Sequence, residues 1–183
     1  MTRYLTVILG LVLGSSNVLA QSHQPYAGNQ SRQIKAFSEE QLADLRAGRG
    51  MSLALPAELN GYPGPLHVIE LAEALALTDT QRDRMQQLLQ NMRSEAIALG
   101  DRLINQESDL DRQFAMQAVT VSTLDASTGA IGQTHAQLRA THLRYHLSTV
   151  EVLTPEQVHR YNQLRGYAAG APEKVHQPSH HHR

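Results

Sequence analysis

The sequence predicts an all-helical protein organised around one long antiparallel helical hairpin, flanked by shorter helices. Three observations carry that prediction. No stretch alternates apolar and polar residues with the two-residue period of a strand. Two long segments, ending near Ala115 and Val152, hold apolar residues at three-to-four spacing with charged and Gln residues between them. A Leu-Thr-x-x-Gln corner precedes one of these segments and follows the other, and Thr with Gln three residues later is a helix-starting capping box. The composition agrees, because Leu, Ala, Gln and Arg dominate while aromatic residues make up only 4%.

Taken in order, residues 1–20 carry one charge, at Arg3, then an apolar run from Leu5 to Leu13 and a Val18-Leu19-Ala20 ending. That is the pattern of a cleaved secretory signal peptide, with an apolar run too short to span a bilayer. Residues 21–37 are rich in Gln, Ser, Asn and Gly and are expected to form a flexible arm. Residues 38–64 hold a short helix opened by the Ser38-Glu39-Glu40-Gln41 box and stopped at Gly48, then an irregular connection. In that connection Met51, Leu53, Leu55 and Leu59 are expected to pack onto the body.

Residues 65–167 form the hairpin domain. Pro65 suits a first helical position, and His67, Val68, Ile69, Leu71, Ala72 and Leu75 give a one-sided helix to about Ala76. Thr78 caps the first long helix, whose inward face is Met85, Leu88, Met92, Leu99, Leu103, Leu110 and Phe114. Gly100 inside it marks a bend or a close approach. Ser122 is expected to cap the second long helix, where Leu124, Ile131, Leu138, Tyr145 and Val152 recur every seven residues. Gly129 and Gly132 fall early in that helix and would allow close packing. Thr154 caps the last helix, Pro155 opens it, Val158, Tyr161 and Leu164 face inward, and Gly166 ends it. Residues 168–183 are a His-rich tail expected to stay disordered.

The chain of 183 residues has net charge −1, and loss of Arg3 with the signal peptide leaves −2, so no basic surface offers itself to nucleic acid. Cysteine is absent, which removes disulfides and thiolate chemistry; any bound metal must be held by His, carboxylate or Met. No nucleophile elbow, Gly-rich phosphate loop or His-Glu-x-x-His is present, so the expectation is that the protein is not an enzyme.

Histidine is the distinctive chemistry. His135, His142 and His146 follow i, i+7, i+11, within ~40° on a helix, at the shoulder of the apolar stripe. His142 and His146 alone are an i, i+4 pair able to reach one metal ion. The same placement suits half-buried flank residues, each with its own hydrogen-bond partner. His176, His180, His181 and His182 in the tail would bind zinc, copper or nickel weakly by composition alone.

The corners Leu77, Thr78, Gln81 and Leu153, Thr154, Gln157, either side of a Cys-free hairpin behind a signal peptide, resemble the periplasmic LTxxQ family. That family includes Spy- and CpxP-like chaperones and ZraP- and CnrX-like heavy-metal proteins. The resemblance covers roughly residues 62–167 and implies a periplasmic homodimer of helical hairpins. It implies one of two kinds of work. One is binding of zinc, copper, nickel or cobalt in heavy-metal resistance or sensing, without an organic cofactor. The other is ATP-independent holding of unfolded envelope proteins, with a membrane-bound sensor or anti-sigma factor as a further partner. The metal-binding members imply ligands at His142 and His146, joined from the helix before the first corner by His67 and Glu70. This chain has one His there where those members have an H-x-x-x-H pair. For chaperone work, Met85, Met92 and Met116 with the interspersed arginines fit a client-holding face.

Overall fold

The computed structural model describes residues 26–167, and the expected signal peptide, the start of the arm and the His-rich tail lie outside them. Within the described residues the chain is all-helical: α1 (Glu39–Arg46), α2 (Leu55–Glu58), α3 (Pro65–Glu70), α4 (Asp79–Ala115), α5 (Val121–Val152) and α6 (Pro155–Arg165), after a 3-10 turn at Asn29–Ser31. None of these helices is long and apolar enough to cross a membrane.

The two longest helices pack together along their length. Gln81 at the start of α4 bonds the carbonyl of Val152 at the end of α5, and Glu95 accepts from the Tyr145 hydroxyl at 2.7 Å. Further along, Arg102 reaches Gln137 and Gln113 reaches Ser127. The buried face of α4 is Met85, Leu88, Met92, Ala96, Gly100 and Leu103, close to the spacing expected, but Phe114 is exposed. On α5 only Ile131 and Leu138 of the heptad stripe are buried, and the buried face shifts onto Thr134, Thr141, His142, His146 and Thr149. Thr134 and Thr149 satisfy their hydroxyls on carbonyls four residues back, which lets a polar side chain sit in a helix interface.

The core divides into two clusters. One gathers Leu42 and Leu45 of α1 with Ala96 and Leu103 of α4 and Ile131 and Leu138 of α5, and adds Ile34 and Phe37. The body therefore begins before the Ser38 box, and the part of the arm from Ile34 on is anchored by two buried apolar residues rather than loose. The other cluster joins Val68, Ala72, Leu75 and Leu77 to Met85, Leu88, Leu153 and Tyr161. Met92 on α4 and His142 and His146 on α5 fall between the clusters in both helices' order, so the core is interrupted by chemistry at its middle.

Three boundaries differ from expectation. The residues after α3 leave helical geometry at Leu71, and Ala76 takes a positive φ of 49°, so that Ala72, Leu75 and Leu77 all point into the core where a continuing helix would expose one of them. Helix α5 is capped by Thr120, not Ser122: Thr123 N–H donates to the Thr120 hydroxyl at 3.2 Å and the Thr123 hydroxyl accepts from the Thr120 N–H at 2.9 Å. In the connection, Met51 and Leu53 pack on the core, whereas Leu55 and Leu59 are 46% and 55% exposed.

The capping boxes at Ser38, Thr78 and Thr154 are all formed. The last two do more than start helices. Each Gln amide oxygen accepts from its own N-cap N–H, and the two amides bond each other reciprocally at 2.8 and 3.0 Å. Gln81 also donates to Val152 O at 2.9 Å and Gln157 to Leu75 O at 3.2 Å. The two corners thus meet, and the Gln pair ties the entry of α4 to the entry of α6. Gln81→Ala should cost about 1–2 kcal/mol, and adding Gln157→Ala should cost clearly less than the sum of the singles, because both remove one shared pair. Urea unfolding of the three variants measures this; strict additivity would mean that the amides cap their own helices independently.

Candidate functional site

The gap in the core holds a cavity of about 270 Å³. Its polar wall is His67 from α3, His142 and His146 from α5, and Glu58 at the end of α2. Met92 of α4 and Met51 of the connection add two thioethers, and Leu55 and Leu66 lie on its wall. Met51 and Ser52 both adopt positive φ, 41° and 65°, a costly conformation for residues with a Cβ and one that concentrates where a function holds it.

Glu58 was not singled out by sequence, lying in a Gly- and Pro-rich connection without a pattern, yet it organises the site. It is 5% exposed. Its Oε1 accepts from the Tyr161 hydroxyl, with Arg165 Nε at 3.6 Å and His67 Nδ1 at 3.4 Å; its Oε2 accepts from the Gly64 N–H at 3.3 Å, with His146 Nδ1 at 3.8 Å. A buried carboxylate needs such a set of donors to offset its lost hydration. Burial first, and then the bond to Glu58, push the Tyr161 phenol far above its usual range, so it remains a donor.

The histidines divide by their hydrogen bonds. His146 Nδ1 lies 2.6 Å from the Tyr62 carbonyl, which can only accept, so the Nδ1–H donates to it and fixes the ring. Gly64 passes so close to that ring that an added Cβ would sit 2.9 Å from Nε2, which makes glycine necessary there. His142 is 2% exposed, and its Nε2 is buried with no partner among the described residues. Burial, and then the neighbouring His146, lower its pKa, leaving a neutral imidazole. A wholly buried, unpaired ring nitrogen costs free energy, and few such groups are left in a fold without a reason.

The expected i, i+4 pair does share the cavity wall, buried and not at the shoulder of the seam, and His67 joins it there half-exposed. Two other expected ligands are elsewhere. Glu70 is exposed at the last position of α3 and does not line the cavity; Glu58 supplies the carboxylate there instead. His135 is exposed on α5, near Glu107, whose pKa is raised by burial against the opposing pull of His135. The tail histidines lie outside the described residues. Among the described residues no three His, Asp or Glu side chains stand close enough together to hold one ion, so the four-ligand set of His67, Glu70, His142 and His146 is not assembled. Gly50 and Met51 were legible only as parts of the connection, and Met92 only as core or client-holding face.

No protein-family model matches the chain, and neither a curated protein nor a solved structure was found to match it. The fold and the cavity together define an all-helical protein with a partly open pocket lined by His and Met residues.

Proposed function

We propose that the chain is an exported, metal-binding protein of the bacterial envelope, acting in heavy-metal resistance or sensing, with α4 and α5 as the hairpin of an LTxxQ-type dimer. The observation that carries this is the convergence of His142, His146 and His67 on one cavity wall, with His142 Nε2 buried and without a partner among the described residues and the His146 ring fixed by the Tyr62 carbonyl. Glu58 at 3.4 Å from His67 Nδ1 and the Tyr62 carbonyl at 2.6 Å from His146 Nδ1 stand where the outer partners that orient metal-binding histidines stand. Two joined corners support the likeness to the LTxxQ proteins, and with it the periplasmic location.

The test is titration of zinc, copper and nickel into the full-length protein with His176, His180, His181 and His182 replaced by Ala. One tight site is expected, and His142→Ala with His146→Ala should abolish it while the helical spectrum is kept. Equal binding by the double variant would overturn the reading. A second reading, an ATP-independent chaperone for unfolded envelope proteins, is favoured by one observation. Phe114, Met116 and Val121 are 52%, 69% and 77% exposed around the turn joining α4 to α5, a cluster of apolar surface suited to unfolded chains. Suppression of client aggregation that is lost with Phe114→Ser and Val121→Ser, and indifferent to metal, would establish it.

A further inference from the structure

We infer that the ion taken by the cavity is monovalent copper, held by the imidazoles of His142 and His146 and the thioethers of Met92 and Met51. The inference rests on the metal-binding reading above and goes on to name the ion. It starts from which donors remain free. Both oxygens of Glu58 are engaged, by Tyr161 and by the Gly64 N–H, and Arg165 and His67 stand beside it; the one carboxylate on the cavity wall is thus already compensated. Glu70, the other acid within reach in sequence, is exposed and away from the cavity. The chain has no cysteine, so thiolate is excluded. Among the lining residues, the metal-binding side chains that remain are imidazoles and thioethers, and soft thioether donors select copper(I) over zinc, nickel or cobalt.

Charge and geometry argue the same way. The Born cost of burying an ion rises with the square of its charge, so a divalent cation costs about four times as much as a monovalent one in a site without a free anion. Tetrahedral zinc needs three or four prearranged N, O or S donors, and among the described residues no three His, Asp or Glu provide them. Copper(I) is content with a low coordination number that two imidazoles and one or two thioethers satisfy. The Tyr62 carbonyl, 2.6 Å from His146 Nδ1, fixes the orientation of that ring, and His142, 2% exposed, lies one helical turn away on the same cavity wall. Met51, the second of the thioether residues, lies on the cavity wall with a positive φ of 41°.

The experiment uses the full-length protein with the four tail histidines replaced by Ala, titrated under reducing, anaerobic conditions with copper(I) against a chromogenic chelator, and separately with silver(I) and zinc(II). Copper(I) and silver(I) should bind one ion each, about a hundredfold more tightly than zinc or better, and X-ray absorption of the copper form should show sulfur neighbours. Met92→Leu with Met51→Leu, nearly volume-conserving changes, should shrink the silver-over-zinc preference about tenfold or more while the melting temperature stays near that of the parent. A preference for zinc in the parent, an unchanged ratio in the Leu variant, or copper neighbours that are nitrogen and oxygen alone would overturn copper(I) and leave the metal-binding reading standing. Absence of any tight ion would overturn both.

Discussion

Replacing Tyr161 by Ala is expected to remove about 5 kcal/mol of stability, and replacing it by Phe about 2 kcal/mol. The larger figure is comparable with the whole margin of a small domain, about 5–15 kcal/mol, so the Ala variant should melt tens of degrees lower or fail to accumulate. The reasoning separates two roles of one side chain. As a ring, Tyr161 is fully buried among Val68, Leu77, Met85 and Leu153, and its removal opens a cavity that helices on three sides cannot all collapse to fill. As a phenol, it donates to Glu58, which sits at the end of α2, 103 residues away in sequence. Phe keeps the ring and leaves the buried carboxylate short of its best donor, with only Gly64 and the ion pairs of Arg165 and His67 to hold it. Thermal melts and urea midpoints of the two variants decide the matter. A neutral Phe variant would mean that Glu58 is satisfied without the phenol, and the account of α2 as pinned through α6 would fall.

The same variant bears on the site. Glu58 stands behind His67 and His146, so the Phe change should loosen the connection that carries Met51 as well as lower stability. This coupling of ligand wall to fold was invisible in the sequence. What the sequence did reveal were features whose cause is local. The Ser38, Thr78 and Thr154 caps involve residues three apart, and each formed as read, down to the Gln that closes it. The i, i+4 pair His142 and His146 was legible because helical spacing alone puts both rings on one side. The Thr120 cap was misread by two residues because Ser122-x-x-Asp125 offers a competing box; Thr123 does by its hydroxyl what an acid or amide usually does. Helix α3 was read too long because its pattern continues to Leu75, and only the core on α4 and α6 dictates the bend at Ala76. Glu58 and Met51 have no local signature at all. Their roles exist only because α2 and the connection fold back over α5, a long-range fact that no spacing records.

Glycine supplies the second large effect, and its sign differs between positions that look alike in sequence. Gly100, Gly129 and Gly132 all lie inside long helices, where Ala is intrinsically better by up to about 1 kcal/mol. At Gly100 an added Cβ would sit 2.5 Å from the carbonyl oxygen of Leu45 and 3.0 Å from its carbon, so the end of α1 rests directly on the backbone of α4. Backbone cannot rotate away as a side chain can, and α1 is held there from its other end by Leu42 in the core. Gly100→Ala should therefore destabilise by about 2–3 kcal/mol, the overpacking cost outweighing the helical gain. At Gly129 and Gly132 nothing lies within 4 Å of the added Cβ, and neither residue serves the close packing expected of it. Ala at these two sites should stabilise, together, by about 1 kcal/mol or slightly more. Urea unfolding of Gly100→Ala beside the Gly129→Ala, Gly132→Ala pair gives a comparison free of any difference in chemistry, since every substitution adds one methyl group to a helix. Opposite signs locate the contact of α1 on α4 at Gly100. Stabilisation at all three positions would mean that α1 stands off α4, and the core cluster that joins Leu42 and Leu45 to Ala96 and Leu103 would lose its basis.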